Sequence, residues 1–157
     1  MRVIVLRGVS GSGKSTWASH FKNKATIVST DDLFYVDGVY RHDATKLREY
    51  HGRTFRRFLE ALERKDALII VDNTNIEPWE FSPYVLAGEA FGYAVELLTF
   101  FCSLETALAR KQLVPVEHME RIYRSFEAHT DRMPGRFRQM HRIVDAEGAM
   151  PAANLNR

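Results

Sequence analysis

The sequence predicts an α/β fold, a parallel sheet of about four to five strands with helices on both faces, and three observations predict it. Short β-branched runs alternate along the chain with segments of helical apolar spacing. The runs Val3–Leu6 and Ala67–Val71 are apolar at every position, as strands covered on both faces are. A strand, helix, strand, helix order then calls for parallel pairing, with the helices lying over the faces.

Val3–Leu6 is too short for a helix and stops just before Arg7-Gly8, so it reads as the first buried strand. A helix is expected from about Lys14 to Phe21, and Ala25–Ser29 is the second strand. Residues 43–64 place Leu47, Tyr50, Phe55, Phe58, Leu59 and Leu62 at helical spacing and leave Arg48, Arg53, Arg56, Arg57 and Glu60 for the other face. Ala67–Val71 is the third strand. Pro78–Ala90 reads as a helix stopped near Gly92, with Pro83 expected to kink or delay it. Tyr93–Phe101 is the fourth strand, and Leu104–Arg110 and Val116–Ala128 are helices. No repeat, low-complexity tract or linker divides the chain. One domain is expected over residues 1–145, and the small, polar segment 146–157 is expected to be a flexible tail.

Composition bounds the function. At 157 residues, 45% hydrophobic and 27% charged, the chain can bury a full core. No apolar run approaches the roughly 20 residues that cross a bilayer. The N-terminal run leads straight into a glycine-rich motif, which favours a strand over a cleaved leader. The single cysteine, Cys102, excludes an internal disulfide and a Cys-based zinc site, and fits a reducing, cytoplasmic setting. No two of the six histidines have the i, i+4 spacing of a helical zinc site, and His51 is expected to be structural or substrate-facing. The net charge of +2 does not mark a polyanion binder. Its distribution is more informative. Six arginines, Arg121, Arg124, Arg132, Arg136, Arg138 and Arg142, face two acids, Glu127 and Asp131, within one stretch. That stretch is either a phosphate-gripping surface or a solvated helix face.

The strongest motif is Gly8-Val9-Ser10-Gly11-Ser12-Gly13-Lys14-Ser15-Thr16, the phosphate-binding P-loop in full, with a strand before it and a helix after it. Glycines let the backbone curl around phosphates with no Cβ in the way. The inward N–H groups and the positive end of the next helix then attract the anion. Lys14 is expected to reach the β- and γ-phosphates of a nucleotide such as ATP, Ser15 to ligate Mg²⁺, and Thr16 to bond the α-phosphate. The motif narrows the fold to the P-loop NTPase and kinase class.

Two acidic signals end predicted strands, at the edge where open parallel sheets bind ligands. After the second strand stands Asp31-Asp32. Asp31 is assigned to catalysis, accepting the proton of an attacking hydroxyl, and Asp32 to a capping or supporting role on the substrate side. After the third strand stands Asp72-Asn73-Thr74-Asn75. Asp72 is expected to orient the metal, and Thr74 and Asn75 to bond the γ-phosphate or the acceptor. Phe34, Tyr35 and Tyr40 follow Asp31 in what reads as a loop, where rings can be core or can stack on a base.

These segments, GVSGSGKSTW, STDD, DNTNIEPWE, FGYAVELLTF and VPVEHMERIY, together resemble the 5′-kinase domain of bacteriophage polynucleotide kinases and other P-loop kinases of nucleic-acid ends. They are also similar to phage kinases that phosphorylate 5-hydroxymethyluracil in DNA. The resemblance runs from about Arg2 to Glu127. It implies an ATP- and Mg²⁺-dependent kinase with a nucleic-acid substrate, DNA favoured over RNA; no phosphatase or ligase domain is read in the chain, so a lone kinase is expected. It makes Asp31 the general base, and sets Thr74 and Asn75 beside the reacting centre. Two departures stand out. Phe34 occupies the place where those kinases carry a phosphate-gripping arginine, which points to stacking in place of ion pairing. The basic lid segment is shortened to Ala109-Arg110-Lys111-Gln112-Leu113, leaving Arg110 as the residue to stabilise transition-state charge, with Arg121 and Arg124 behind it. A small-metabolite kinase, for a nucleoside or a sugar, shares the loop and Asp31 and is the alternative.

Overall fold

The computed structural model describes residues 1–111 and 114–145. Gln112, Leu113 and the expected tail at 146–157 lie outside the described residues. Strands β1 (Arg2–Arg7) and β2 (Thr26–Val28) flank helix α1 (Lys14–Ser19). A 3-10 turn, Asp31–Phe34, leads into a small hairpin of β3 (Tyr35–Val36) and β4 (Val39–Tyr40). Helix α2 (Leu47–Glu63), β5 (Leu68–Asp72), α3 (Pro78–Ala90) and β6 (Ala94–Phe101) follow. Helices α4 (Leu104–Arg110), α5 (Val116–Asp131) and the single turn α6 (Gly135–Arg138) precede β7 (His141–Asp145).

The main sheet has five strands in the order β2-β5-β1-β6-β7, all parallel. Its centre is β1, in which Val3, Ile4, Val5 and Leu6 are fully buried. Alternation along that strand feeds two cores. Val3 and Val5 pack with Phe58 and Leu62 of α2 and Phe81 and Val85 of α3. Ile4 and Leu6 pack on the opposite face with Trp17 of α1, Ile70 and Phe100. Helices therefore cover both faces, as the apolar strands require. A third cluster, including Ala107, Met119, Tyr123 and Phe126, seats α4 and α5 over Val9 and Ile76.

Three expectations are corrected. Pro83 neither delays nor interrupts α3, which runs from Pro78 to Ala90. The proline costs only the N–H that would have bonded to Trp79, on a turn where Trp79 is 71% exposed. The segment after Asp31 is a hairpin, not a loop: Asp37 (φ 52°) and Gly38 (φ 78°) form a two-residue turn that matches the twist of a hairpin. The basic stretch 121–142 is not one helix face. It divides among α5, α6 and β7, and β7 is a fifth parallel strand added beside β6.

The candidate active site

The phosphate loop leaves the C-terminal end of β1 and enters α1. Gly8 has φ 148°, and a Cβ there would lie 2.6 Å from the Phe100 carbonyl oxygen and 2.7 Å from the Ser12 hydroxyl. Gly13, at φ 93°, supplies the left-handed turn that starts α1. Lys14 is buried, and its Nζ donates to the carbonyls of Gly8 (2.8 Å) and Val9 (2.9 Å). Burial pulls the Lys14 ammonium down to about 8, against the favourable field of Asp72 and Asp31. The Ser15 hydroxyl donates to Asp72. Burial pushes the Asp72 carboxyl upward, which the Ser15 bond and Lys14 oppose. Hydroxyl and carboxylate oxygens are the donors that Mg²⁺ takes, so Ser15 and Asp72 fit the ion they were assigned.

These groups share a cavity of about 480 Å³. Ser10, Gly11, Gly13, Lys14, Ser15 and Thr16 line its phosphate side, while Gly8, Val9 and Ser12 shape the loop from behind. Arg110, at the end of α4, reaches the same wall, where its Nη1 donates to the Gly11 carbonyl (3.0 Å). Lys111 stands beside it. Asp31, Thr74, Leu47 and His51 also line the cavity.

The Asp31 turn is pinned by a residue whose role the sequence did not show. Asn73 accepts from the Thr30 N–H at 2.9 Å and donates to the Tyr84 hydroxyl at 3.4 Å. Thr30 in turn bonds Thr54 (3.1 Å) and approaches His51 (3.4 Å) on α2. The segments after β5 and β2 are thus tied together one residue before Asp31. Asn73 lies within the Asp72-Asn73-Thr74-Asn75 turn, where the sequence pattern points to Thr74 and Asn75 instead. Asp32 lies next to this cavity, in a shallow groove with Ser15, Lys22 and Asp72. Burial raises its carboxyl, against the field of Arg57.

Other residues assigned to the substrate lie elsewhere. Asn75 is 2% exposed, has φ 49°, and donates to the Leu6 carbonyl at 2.7 Å, so it secures β1 rather than lining the cavity. Phe34 is 2% exposed and enclosed by Tyr40, His42 and Tyr50 at ring distances of 4.8–6.0 Å, leaving no ring face for a base. It is the core of the hairpin. Tyr35 and Tyr40 stay exposed above it. Arg121 bonds His118 on its own helix and Arg124 approaches Glu120 at 3.4 Å; neither lines the cavity.

A P-loop followed across one cavity by an acid at the end of β2, on a 2-5-1-6-7 parallel sheet, defines a P-loop kinase fold. Residues 3–133 match the AAA domain family, and the chain belongs to that family. Human NEDD4-binding protein 2 is 42% identical to it over 96 residues, which are 59% of this chain and 5% of that protein. The chain thus spans a small part of that relative's length. Among solved structures, the Pnkp1/Rnl/Hen1 RNA repair complex contains a chain with a TM-score of 0.67 at 17% identity, matched over 85% of this chain and 46% of that one. A gluconokinase from Sinorhizobium meliloti 1021 has a TM-score of 0.56 at 17% identity, over 95% of this chain and 83% of its own. No helix among the described residues is long and apolar enough to cross a membrane.

Proposed function

We propose that the chain is an ATP-dependent kinase that transfers the γ-phosphoryl group to a hydroxyl of a nucleic acid, either a 5′-OH end of DNA or RNA or the hydroxymethyl group of 5-hydroxymethyluracil in DNA. The observation that carries the proposal is that Asp31 lines the same cavity as Lys14 and Ser15. The acceptor hydroxyl gives its proton to the Asp31 carboxylate as its oxygen bonds to the γ-phosphorus. The bond from that phosphorus to the β–γ bridging oxygen breaks, and ADP leaves. Lys14 and Arg110, with Lys111 beside them, are cations lining this cavity, and such cations stabilise the charge that develops in a transfer of this kind. Bound Mg²⁺, held by Ser15 and Asp72, would supply neutralisation of phosphate charge.

The nucleic-acid acceptor is supported by the sequence resemblance and by the likeness to a chain of an RNA repair complex. A second reading, a small-metabolite kinase, is favoured by the gluconokinase likeness along 95% of the chain. Transfer from labelled ATP to oligonucleotides and to free nucleosides or gluconate separates the two. Label confined to the small molecules would reject the nucleic-acid reading.

A further inference from the structure

We propose that the β3–β4 hairpin and the N-terminal half of α2 form a platform for single-stranded nucleic acid, presenting its hydroxyl to Asp31; this rests on the nucleic-acid reading above. Three observations converge on it. The first is the hairpin surface. Tyr35, Val36, Val39 and Tyr40 are 56%, 46%, 54% and 45% exposed on a two-stranded flap that pairs with no other strand among the described residues. Two-residue strands are marginal alone, but this pair is seated on buried Phe34, and the Phe34 carbonyl accepts from the Arg41 N–H at 2.8 Å. The Tyr35 and Tyr40 rings meet edge-on at 5.3 Å. Their exposed faces are of the kind on which unpaired bases stack.

The second is continuity with the site. Asp31 begins the turn that leads into β3, and Tyr40 is near enough to Asp31 that the carboxylate, after burial, helps to push the Tyr40 hydroxyl up. Leu47 and His51 of α2 line the same cavity as Asp31. A chain lying on the hairpin therefore ends at the candidate base.

The third is charge. Arg41 directly follows the hairpin, and Lys46 and Arg48 flank the cavity-lining Leu47 at the start of α2; all three are exposed, and none forms an ion pair among the described residues. Arg48 lies one turn before His51 on the same face of α2. Of the acids in the stretch, Asp43 accepts from Thr45 and feels the charge of Lys46, Glu49 stands 3.8 Å from Arg53, and Asp37 is exposed at the hairpin turn. Two of the 121–142 arginines differ in position and pairing. Arg136 pairs with Glu89 at 2.6 Å and Arg142 approaches Glu96 at 3.9 Å, toward the end of the sheet opposite the phosphate loop. Free cations beside exposed rings match a strand that stacks its bases and runs its phosphates past arginine.

The test uses the full chain and a fluorescein-labelled single-stranded oligothymidylate with a 5′-OH. Binding is read by anisotropy across a salt series, and transfer by labelled ATP. Tyr35→Ala should weaken oligonucleotide binding about tenfold, the size of one lost base stack. Arg41→Ala with Arg48→Ala should reduce the slope of log K against log salt by about 1.4, two phosphates at about 0.7 each. Replacing Arg132, Arg136 and Arg138 together should leave both quantities unchanged. Unaltered nucleotide binding by the variants confirms intact folding. If wild type phosphorylates the oligonucleotide but Tyr35→Ala and the Arg41/Arg48 pair bind it as wild type does, the platform is wrong and the kinase reading survives. If wild type neither binds nor phosphorylates any oligonucleotide, both fall together.

Discussion

Asp31 and Lys14 line one cavity, and single substitutions separate the roles proposed for them. Asp31→Ala should slow transfer by about 10²–10⁴-fold, the range of a lost general base, while nucleotide binding measured by calorimetry persists. Retained turnover would remove Asp31 from the role. Lys14→Met should slow transfer by about a thousandfold. It should also change the stability profile. Burial pulls the native Lys14 down to about 8 from 10.5. Between those values the folded protein has released a proton that the unfolded chain still holds, so stability should rise with pH across that interval. Urea unfolding of the nucleotide-free protein should show the rise, and Lys14→Met should remove its Lys14 share. Identical profiles for the two proteins would place Lys14 in contact with water.

At the scale of elements, the site depends on how strand ends are joined. Gly8→Ala would drive a Cβ to 2.6 Å from the Phe100 backbone oxygen at a φ that side chains avoid. Nucleotide affinity should fall at least about tenfold, or about 1.4 kcal/mol, with the sheet intact by circular dichroism. Unchanged affinity would mean that the loop can shift to accept the methyl group. The P-loop, α3 from Pro78 to Ala90 and α4 from Leu104 to Arg110 were legible in the sequence because each has strong local signals: glycines at fixed offsets, a proline in the first turn, or a serine cap. The hairpin and β7 were not read. Tyr35-Val36-Asp37-Gly38-Val39-Tyr40 carries the Asp-Gly turn signal, but its apolar residues face outward and are too few to show a buried period. His141–Asp145 is an edge strand with three of its five residues exposed, and its arginine was absorbed into a longer basic run.

The whole molecule adds what only tertiary contact can decide. Phe34 and Asn75 look, in sequence, like residues of an active edge; the fold turns both inward, because a hairpin needs a core and β1 needs its carbonyl satisfied. Arg7 is the converse. It gave no signal, yet it is 0% exposed, donating to the carbonyls of Ile76 (2.9 Å) and Phe126 (3.2 Å) and to the Thr130 hydroxyl (2.7 Å), with its guanidinium 4.6 Å from the Phe126 ring centre. Burial lowers it to about 10. One side chain thus joins β1, the segment after β5, and α5. Arg7→Ala should destabilise the protein by about 3 kcal/mol in urea unfolding, because it leaves a cavity and several unpaired acceptors. A loss below about 1 kcal/mol would show that water replaces it.

The central claim is that this cavity phosphorylates a nucleic-acid hydroxyl through Asp31. The direct measurement is one labelled-ATP experiment with wild type and Asp31→Ala. It offers 5′-OH oligonucleotides, DNA containing 5-hydroxymethyluracil, free nucleosides and gluconate in parallel. The account predicts label in at least one nucleic acid with wild type and its loss with Asp31→Ala. Label only in a small molecule, or equal labelling by both proteins, would contradict it.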